Sequence, residues 1–325
     1  MNLSRPGTPL DPVVDRYLQW KRSLGRDYDG VERVLVSLLA FMHKRGAVEV
    51  DQPLFDAWSQ TFAALSANVR RSRQREVRNF CLYRQRSEPG CFVPDPHRFP
   101  RAQPYRAPVI LGPEAVARML AVAARQRPTP GSPLLPHVLR IAVVLLYTAG
   151  LRRGELLRLT LADVDAAKGI LHIRESKFHK SRWVPLSPDA RRELRAYLRH
   201  RRASPLSTAA HTPLLCNYSR GLRGYTGTGL SRGLQLLFRS ANVLSPDGRR
   251  PRVHDFRHSF AIQALLRWYR QGADVQSNLP KLAIYMGHVS IVSTAYYLGW
   301  MPEVAAAASD RFEAHFGHLI SGGAS

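Results

Sequence analysis

The stretch that decides the fold lies between residues 254 and 297, where the sequence reads HDFRHSF (254–260), MGH (286–288) and VSIVSTAYY (289–297). Apolar residues recur at helical spacing across 254–269, so His254 and Arg257 are predicted to share the first turn of a helix. An arginine in that position can donate two hydrogen bonds to one phosphate. Histidine exchanges protons near neutral pH, and tyrosine becomes a nucleophile when nearby charge stabilises its phenolate.

Each part of this stretch also has an ordinary structural interpretation. A His-x-x-Arg pair is more often a salt-bridged helix start than a catalytic pair. His254 and His258 have the four-residue spacing of zinc ligands, but the sequence has no H-E-x-x-H glutamate and no cysteine pair at ligand spacing. We therefore predict no metal site and no bound cofactor.

Two further stretches favour the catalytic interpretation over the structural one. They are a second block, YTAGLRRGELLRLTLADVD at 147–165, and a predicted hairpin, ESKFHKSRWVPL at 175–186. Together with the first stretch they resemble the tyrosine recombinase (phage integrase) family. The family's T-G-L-R-x-x-E pattern is matched by T-A-G-L-R-R-G-E, and its H-x-x-R, G-H and tyrosine elements follow in family order. The resemblance covers about 108–300 and implies the catalytic set Arg152, Lys177, His254, Arg257, His288 and Tyr297.

The resemblance implies a reaction as well. Tyr297 would attack a DNA phosphodiester, leaving a 3′-phosphotyrosyl enzyme and a free 5′-hydroxyl. Because the phosphoester energy is kept in the tyrosyl link, neither ATP nor a metal is required. The other implied roles are phosphate clamping by Arg152 and Arg257, orientation of Arg152 by Glu155, protonation of the 5′-oxygen by Lys177, proton exchange with the nucleophile by His254, and donation to the phosphate by His288.

Three alternatives remain open. Tyr296 is a rival nucleophile, although the nine-residue step from His288 favours Tyr297. A type IB topoisomerase uses the same chemistry but rejoins the same strand, and a non-cleaving accessory protein could share the fold. The intact catalytic set argues against the accessory protein.

The expected fold is mainly α with a small antiparallel β-hairpin or sheet. The family resemblance implies two domains, which we place at 1–93 (helical, core-binding) and 109–325 (mixed α/β, catalytic). Between them, 94–108 holds five prolines in fifteen residues and is predicted to be a semi-rigid linker.

Composition favours a polyanionic partner. The chain has 48 Lys and Arg against 24 Asp and Glu, a formal charge of +24, which attracts nucleic acid, although an arginine-rich proteome would contribute to the same excess. In the predicted helix 66–86, apolar Val69, Val77, Phe80 and Tyr83 fall on one arc and four arginines on another. The residues expected to contact DNA phosphates are Arg70, Arg71, Arg75, Arg78, Lys180, Arg182, Arg232, Arg249 and Arg250.

The expected partners are double-stranded DNA and further recombinase subunits in a homo- or hetero-tetramer, without a membrane. The absence of a long apolar stretch and the three isolated cysteines predict a cytoplasmic, nucleoid-associated protein. The run 295–313 resembles recombinases that transposons carry in sets. A tail helix is predicted across 301–320, and it could pack on its own catalytic domain or dock onto a neighbouring subunit.

Overall fold

The computed structural model describes residues 7–104, 106–174, 181–204, 206–218 and 221–288, together with residues 290, 294, 295, 297, 306, 308–310, 312 and 313. The chain divides into two compact units, Met1–Arg106 and Ala107–Ser325. The division falls inside the segment that was predicted to be a linker. In the described residues the fold is mainly helical with small antiparallel sheets, as the sequence predicted.

The first unit is built from four consecutive helices around an aromatic-rich core. α2 buries Leu35, Leu38, Leu39 and Met42, which repeat at the predicted helical spacing. Trp58 of α3 is 1% exposed and completes this core. The helices are α1 (Asp11–Ser23), α2 (Asp29–Arg45), α3 (Gln52–Gln60) and α4 (Ala67–Arg84).

The buried face of α4 differs from the predicted one. Val69, which was expected inside, is 44% exposed, whereas Gln74 and Arg84 are buried beside Val77. Arg84 tolerates burial because Glu49 accepts two hydrogen bonds from it, at 2.6 and 2.8 Å, and Glu88 adds a third. Apolar periodicity missed this face because buried polar residues that find hydrogen-bond partners contribute to it.

Much of the proline-rich segment belongs to the first unit. Phe99 is 7% exposed and packs in the core of that unit, and a short 3₁₀ turn spans Pro96–Arg98. Two arginines of α4 hold the segment: Arg71 Nη1 donates to the Pro100 carbonyl and Arg78 Nη1 to the Pro94 carbonyl, each at 3.2 Å. The proline-rich segment therefore runs along α4, where these two hydrogen bonds hold its backbone.

The second unit packs around one central helix. α6 (Leu135–Thr148) is buried almost all round, from Val138 through Leu146, because its sequence is apolar on every face. Further helices in the described part of residues 107–288 are α5 (Pro113–Ala124), α7 (Arg153–Arg158), α8 (Pro188–Arg202), α9 (Gly227–Ser240), α10 (Asp255–Arg270) and α11 (Val275–Met286). No helix among the described residues is long and apolar enough to cross a membrane.

A small antiparallel sheet supports one side of this unit. Its order is β1 (Val164–Asp165), β2 (Ile170–Ile173) and β3 (Arg182–Pro185), and a separate pair joins β4 (Cys216–Asn217) to β5 (Arg223–Gly224). Leu171 pairs with Val184 on the buried face. Trp183 is 66% exposed and stacks on His172 on the other face. The predicted hairpin tip, 175–180, lies outside the described residues.

A glycine sets the turn between α6 and α7. Gly150 has a φ of +58°, and a Cβ there would lie 2.5 Å from Cδ1 of the Phe260 ring. Gly272 has a similar φ of +67°, but a Cβ there would meet nothing within 4 Å. The two glycines therefore separate backbone strain from steric overlap.

We expect Gly150→Ala to lower the free energy of unfolding by about 2–4 kcal/mol, since left-handed strain of roughly 1 kcal/mol adds to an overpacking cost of about 1–3 kcal/mol. Gly272→Ala carries only the strain and should cost about 1 kcal/mol. Urea unfolding of both variants measures the difference. Equal losses would mean that Phe260 moves aside without cost.

Candidate active site

A buried carboxylate, Glu155, organises the first part of the site. It lies in the first turn of α7 and its side chain is 1% exposed. It accepts hydrogen bonds from Arg152, from the backbone nitrogen at 2.9 Å and from Nη1 at 2.7 Å. Arg182 donates from Nη1 and Nη2 at 3.0 and 2.9 Å. Burial alone would raise the pKa of Glu155, but the hydrogen bonds and charge of Arg182, followed by those of Arg152, lower it to about 2.

The carboxyl end of α11 brings the two predicted phosphate-clamping arginines together. Arg152 Nη2 donates to the carbonyl of Gly287 at 2.8 Å. Arg257 Nη2 donates to the carbonyl of Met286 at 2.6 Å, and its Nη1 donates to the carbonyl of Gly150, also at 2.6 Å. Side chains from the N-cap of α7 and from α10 are therefore anchored on two consecutive carbonyls.

Gly287 makes this arrangement possible. It ends α11 with a φ of +67°, the left-handed conformation that glycine adopts without strain. A Cβ at this position would lie 2.8 Å from Nη1 of Arg182. Arg182 also donates from Nε to the Tyr285 carbonyl at 2.8 Å, so it fills the space that the missing side chain leaves.

His288 follows directly, and its ring is held by a threonine. Thr294 is fully buried, and its Oγ1 lies 2.7 Å from Nδ1 of His288. Burial and the positive charges of Arg257 and Arg152 lower the pKa of His288 to about 4, so the ring is neutral at neutral pH. The bond to Thr294 fixes the ring orientation and directs the Nε2 edge away from the threonine. Thr294 was not predicted from the sequence.

The predicted nucleophile contacts a histidine that was not assigned to the site. The hydroxyl oxygen of Tyr297 lies 2.9 Å from Nδ1 of His258, and the two side chains are buried, with 3% and 7% of each residue exposed. His254 caps the start of α10 and is exposed, and its ring meets that of His258 edge-on, with centroids 4.7 Å apart. Surrounding protein and the charge of Arg257 lower the pKa of His254.

Within the described part of the chain no carboxylate accepts a hydrogen bond from Arg257, and the nearby charge of Glu155 compensates its charge only in part. Its residue is 2% exposed, and the partners of its Nη atoms are backbone carbonyls. Burial and the nearby Arg152 lower its pKa to about 9, so the guanidinium still carries its charge at neutral pH. Since a buried charge that is only partly compensated is costly, the site favours an incoming anion.

Two sequence comparisons decide the family. The phage integrase family matches residues 111–301. The integrase/recombinase-type protein y4rB of Sinorhizobium fredii is 34% identical over 308 residues, which are 93% of this chain and 96% of that protein. The chain belongs to the phage integrase family, the tyrosine recombinases. Tyrosine recombinase XerC of Lactobacillus delbrueckii subsp. bulgaricus is 28% identical over 158 residues, or 49% of each chain.

Solved recombinase structures have the same two-domain fold. The Tn1549 transposon integrase in complex with a circular intermediate DNA aligns with a TM-score of 0.61 over 92% of this chain and 99% of its own, at 17% identity. XerH recombinase bound to palindromic difH substrate, in a post-cleavage complex, aligns with a TM-score of 0.58 over 85% of this chain and 77% of its own, at 15% identity. These likenesses confirm the predicted fold class.

Arg182, one of the predicted phosphate contacts, lies in a different environment from the expected one. Arg182 was expected to face DNA, but its side chain is 9% exposed and is bonded to Glu155 and to the Tyr285 carbonyl. Its position next to the R-x-V-P-L pattern did not reveal this, because the partner residues lie far away in the sequence. Lys177 and Lys180 lie outside the described residues.

The predicted basic face of α4 is also only partly exposed. Arg75 is exposed, whereas Arg71 and Arg78 are half-buried against the proline-rich segment. Arg70 is half-buried and lines a cavity of about 350 Å³ together with Gln74 and Pro100. In the second unit Arg232 and Arg250 are exposed, and Arg249 is paired with Asp247.

Two other predictions concern metal and the tail. Among the described residues there is no group of three or more His, Cys, Asp or Glu side chains able to hold a metal ion. The predicted tail helix at 301–320 lies mostly outside the described residues, and the described positions 306, 308–310, 312 and 313 are helical. Whether this helix docks in cis or in trans stays a prediction.

The depressed pKa of Glu155 makes stability depend on pH. Its ionised form is favoured by folding, so the contribution is complete above the unfolded pKa near 4.5 and is lost as pH falls toward about 2. The difference in unfolding free energy between wild type and Glu155→Gln should therefore shrink by on the order of 2–3 kcal/mol from pH 6 to pH 2.5. Denaturant unfolding at several pH values measures this difference.

Glu193→Gln is the matched control. Glu193 also accepts two hydrogen bonds from one arginine, Arg140, but its side chain is 31% exposed. Solvent screening should keep its pH-dependent contribution below about 1 kcal/mol. The same pH dependence in both variants would contradict the central place given to Glu155.

Proposed function

We propose that this chain is a site-specific tyrosine recombinase that cleaves and rejoins DNA strands through a 3′-phosphotyrosyl intermediate. The observation that carries the proposal is the anchoring of Arg152 and Arg257 on the adjacent carbonyls of Gly287 and Met286, immediately before His288. This geometry gathers two cationic arginines and the neutral His288 from three separate sequence blocks. Donors gathered in this way suit the non-bridging oxygens of one phosphate.

The proposed reaction assigns a task to each group. Tyr297 attacks phosphorus, and the bond from phosphorus to the 5′-oxygen breaks. Arg152 and Arg257 stabilise the charge that builds on the non-bridging oxygens, and His288 donates to one of them from Nε2. Lys177 supplies the proton to the leaving 5′-oxygen, a role that rests on the family resemblance. A 5′-hydroxyl from another duplex then attacks the phosphotyrosine and restores the bond.

We assign Arg182 and Glu155 to positioning. Glu155 holds the guanidinium of Arg152 from one side and is itself held by Arg182. Arg182 further bonds the Tyr285 carbonyl and thereby fixes the end of α11 that anchors both catalytic arginines. A misplacement of about 1 Å at such a site can cost 100-fold in rate.

Double-stranded DNA is the proposed substrate. The formal charge of +24 supports it, and so do the exposed arginines Arg75, Arg232 and Arg250. The Tn1549 integrase and XerH recombinase were both solved with DNA bound. We further propose that strand exchange takes place in a tetramer, with the tail helix linking subunits and the protein acting on a mobile element in the cytoplasm.

Covalent capture tests the nucleophile. Wild type and Tyr296→Phe should form a protein–DNA adduct on a nicked duplex that carries the junction sequences flanking the gene. Tyr297→Phe should bind the same duplex but form no adduct, because its ring lacks the attacking oxygen. Denaturing gel electrophoresis of labelled DNA reads out the adduct. An adduct retained by Tyr297→Phe would move the nucleophile elsewhere.

The product distinguishes the proposed activity from its alternatives. Exchange between two marked duplexes supports recombination, whereas relaxation of a supercoiled circle without exchange supports a topoisomerase. Binding without any adduct in wild type would support the accessory protein.

Salt dependence tests the DNA contacts. Each phosphate contact contributes about 0.9 to the slope of log affinity against log salt, so Arg75→Gln should reduce the slope by roughly that amount. Lys168→Gln is the control, because Lys168 is an exposed cation, 76% accessible, in the turn between β1 and β2 and is not assigned to DNA. Fluorescence anisotropy at several salt concentrations measures both slopes. An unchanged slope in Arg75→Gln would remove α4 from the DNA-binding surface.

A further inference from the structure

The hydrogen bond between Tyr297 and His258 has a chemical consequence. The tyrosine hydroxyl oxygen and the histidine Nδ1 are 2.9 Å apart, within the range for direct proton transfer, and both residues are at least nine-tenths buried. The rings meet at 65° with centroids 5.6 Å apart. A buried phenol cannot lose its proton to bulk water, so a neighbouring group must take it.

The two histidines of α10 are placed for different tasks. They lie one helical turn apart, so both rings occupy the same face of the helix. His254 is itself exposed and lies at the N-cap of the helix, beside Arg257 and therefore beside the proposed phosphate position. His258 lies one turn deeper, where its Nδ1 meets the tyrosine hydroxyl. The sequence-based assignment of proton exchange to His254 does not use this contact.

We propose that His258 accepts the phenol proton of Tyr297 as the phenol oxygen attacks the DNA phosphate. This step rests on the proposed function. The bond from the phenol oxygen to phosphorus forms, the bond from phosphorus to the 5′-oxygen breaks, and the proton moves from the phenol oxygen to Nδ1. In the reverse step, His258 returns the proton to the phenol oxygen when a 5′-hydroxyl attacks the phosphotyrosine.

The charges around His258 make this transfer depend on DNA. The groups that face it are Tyr297 and, on α10 or just before it, His254, Asp255, Arg252 and Arg257. Burial and the neighbouring positive groups lower the pKa of His258 to about 4, so the ring is neutral and can accept the tyrosine hydrogen bond. Such a ring is a weak base in the free protein. A phosphate bound to Arg257 would offset part of the positive potential and raise the basicity of His258.

The test compares His258→Asn and His258→Ala with wild type in single-turnover adduct formation on the nicked duplex. Asparagine can place an oxygen near the Nδ1 position and accept the hydrogen bond, but it cannot take the proton. Both variants should bind DNA normally and form adduct about 100-fold or more slowly at pH 7. His200→Asn, an exposed histidine of α8, is the matched control and should react like wild type.

The pH profile is the decisive readout. Above the pKa of His258 the wild-type rate should be flat between pH 6 and 8. In both variants only the small phenolate fraction attacks, so the rate should rise about tenfold per pH unit toward the tyrosine pKa near 10. A flat profile in His258→Asn, or a rate equal to that of wild type, would overturn the proposal. Slow reaction with an unaltered pH profile, or loss of DNA binding in both variants, would mark His258 as structural and overturn it too.

A substrate with sulfur in place of the bridging 5′-oxygen locates the defect in the reaction. A thiolate leaves without being protonated, so this substrate should rescue a variant that lacks the proton donor to the leaving group. We expect no rescue of His258→Asn, because its defect lies at the nucleophile. Full rescue would assign His258 to the leaving group instead. If wild type forms no adduct on either substrate, the proposed function itself fails; if wild type reacts and the variants match it, only the role of His258 fails.

Discussion

The ion pair network around Glu155 is the interaction on which the rest of the site depends. One carboxylate, 1% exposed, receives Arg152 from α7 and Arg182 from β3. Both arginines also bond carbonyls at the end of α11, so helix, sheet and helix terminus are fixed to one another through two oxygens. Removing one partner of such a buried network typically costs about 3–5 kcal/mol, because it leaves a charge without compensation. The position of the Arg152 side chain is therefore determined by α7, β3 and the end of α11 together.

The same network leaves the site with a surplus of positive charge. The single negative charge of Glu155 partly compensates the positive charges of Arg152 and Arg182. Arg257 instead donates to the carbonyls of Gly150 and Met286. Carbonyl dipoles fix the direction of a guanidinium without cancelling its charge. Burying the charge of Arg257 costs free energy in the folded protein, and a bound phosphate would offset that cost. Arg257 is thus buried near the charge of Glu155 but without a carboxylate bonded to it in the described residues, whereas Arg84 in the first unit is bonded to Glu49 and Glu88.

Part of this arrangement could be predicted from the sequence. The difference between the features that could be predicted and those that could not has a physical cause. Local patterns were sufficient for the helix that buries Leu35 and Met42, because burial there repeats with the helical period. The family resemblance, through the order of its motifs, provided the proposed catalytic set, which stays a prediction. The burial of Arg182 against Glu155 could not be predicted, since an arginine on a strand looks the same in sequence whether its partner is solvent, a phosphate or a buried carboxylate. Long-range partners such as Glu155 decide between these states, and no local pattern records them.

The contact of His258 with Tyr297 also could not be predicted from local sequence. In the sequence His258 stood out only as one half of a pair with zinc-ligand spacing. Its four-residue spacing from His254 does predict that both rings share one face of α10, but not that this face meets Tyr297. Once the tyrosine lies there, burial acts on both groups. It separates the phenol from bulk water, and it lowers the pKa of His258, so that the ring stays neutral and able to accept a proton. Under the proposed mechanism, a tyrosine that reacts only after the substrate phosphate has bound would suit an enzyme that breaks DNA, because premature cleavage would leave strands with no partner to rejoin.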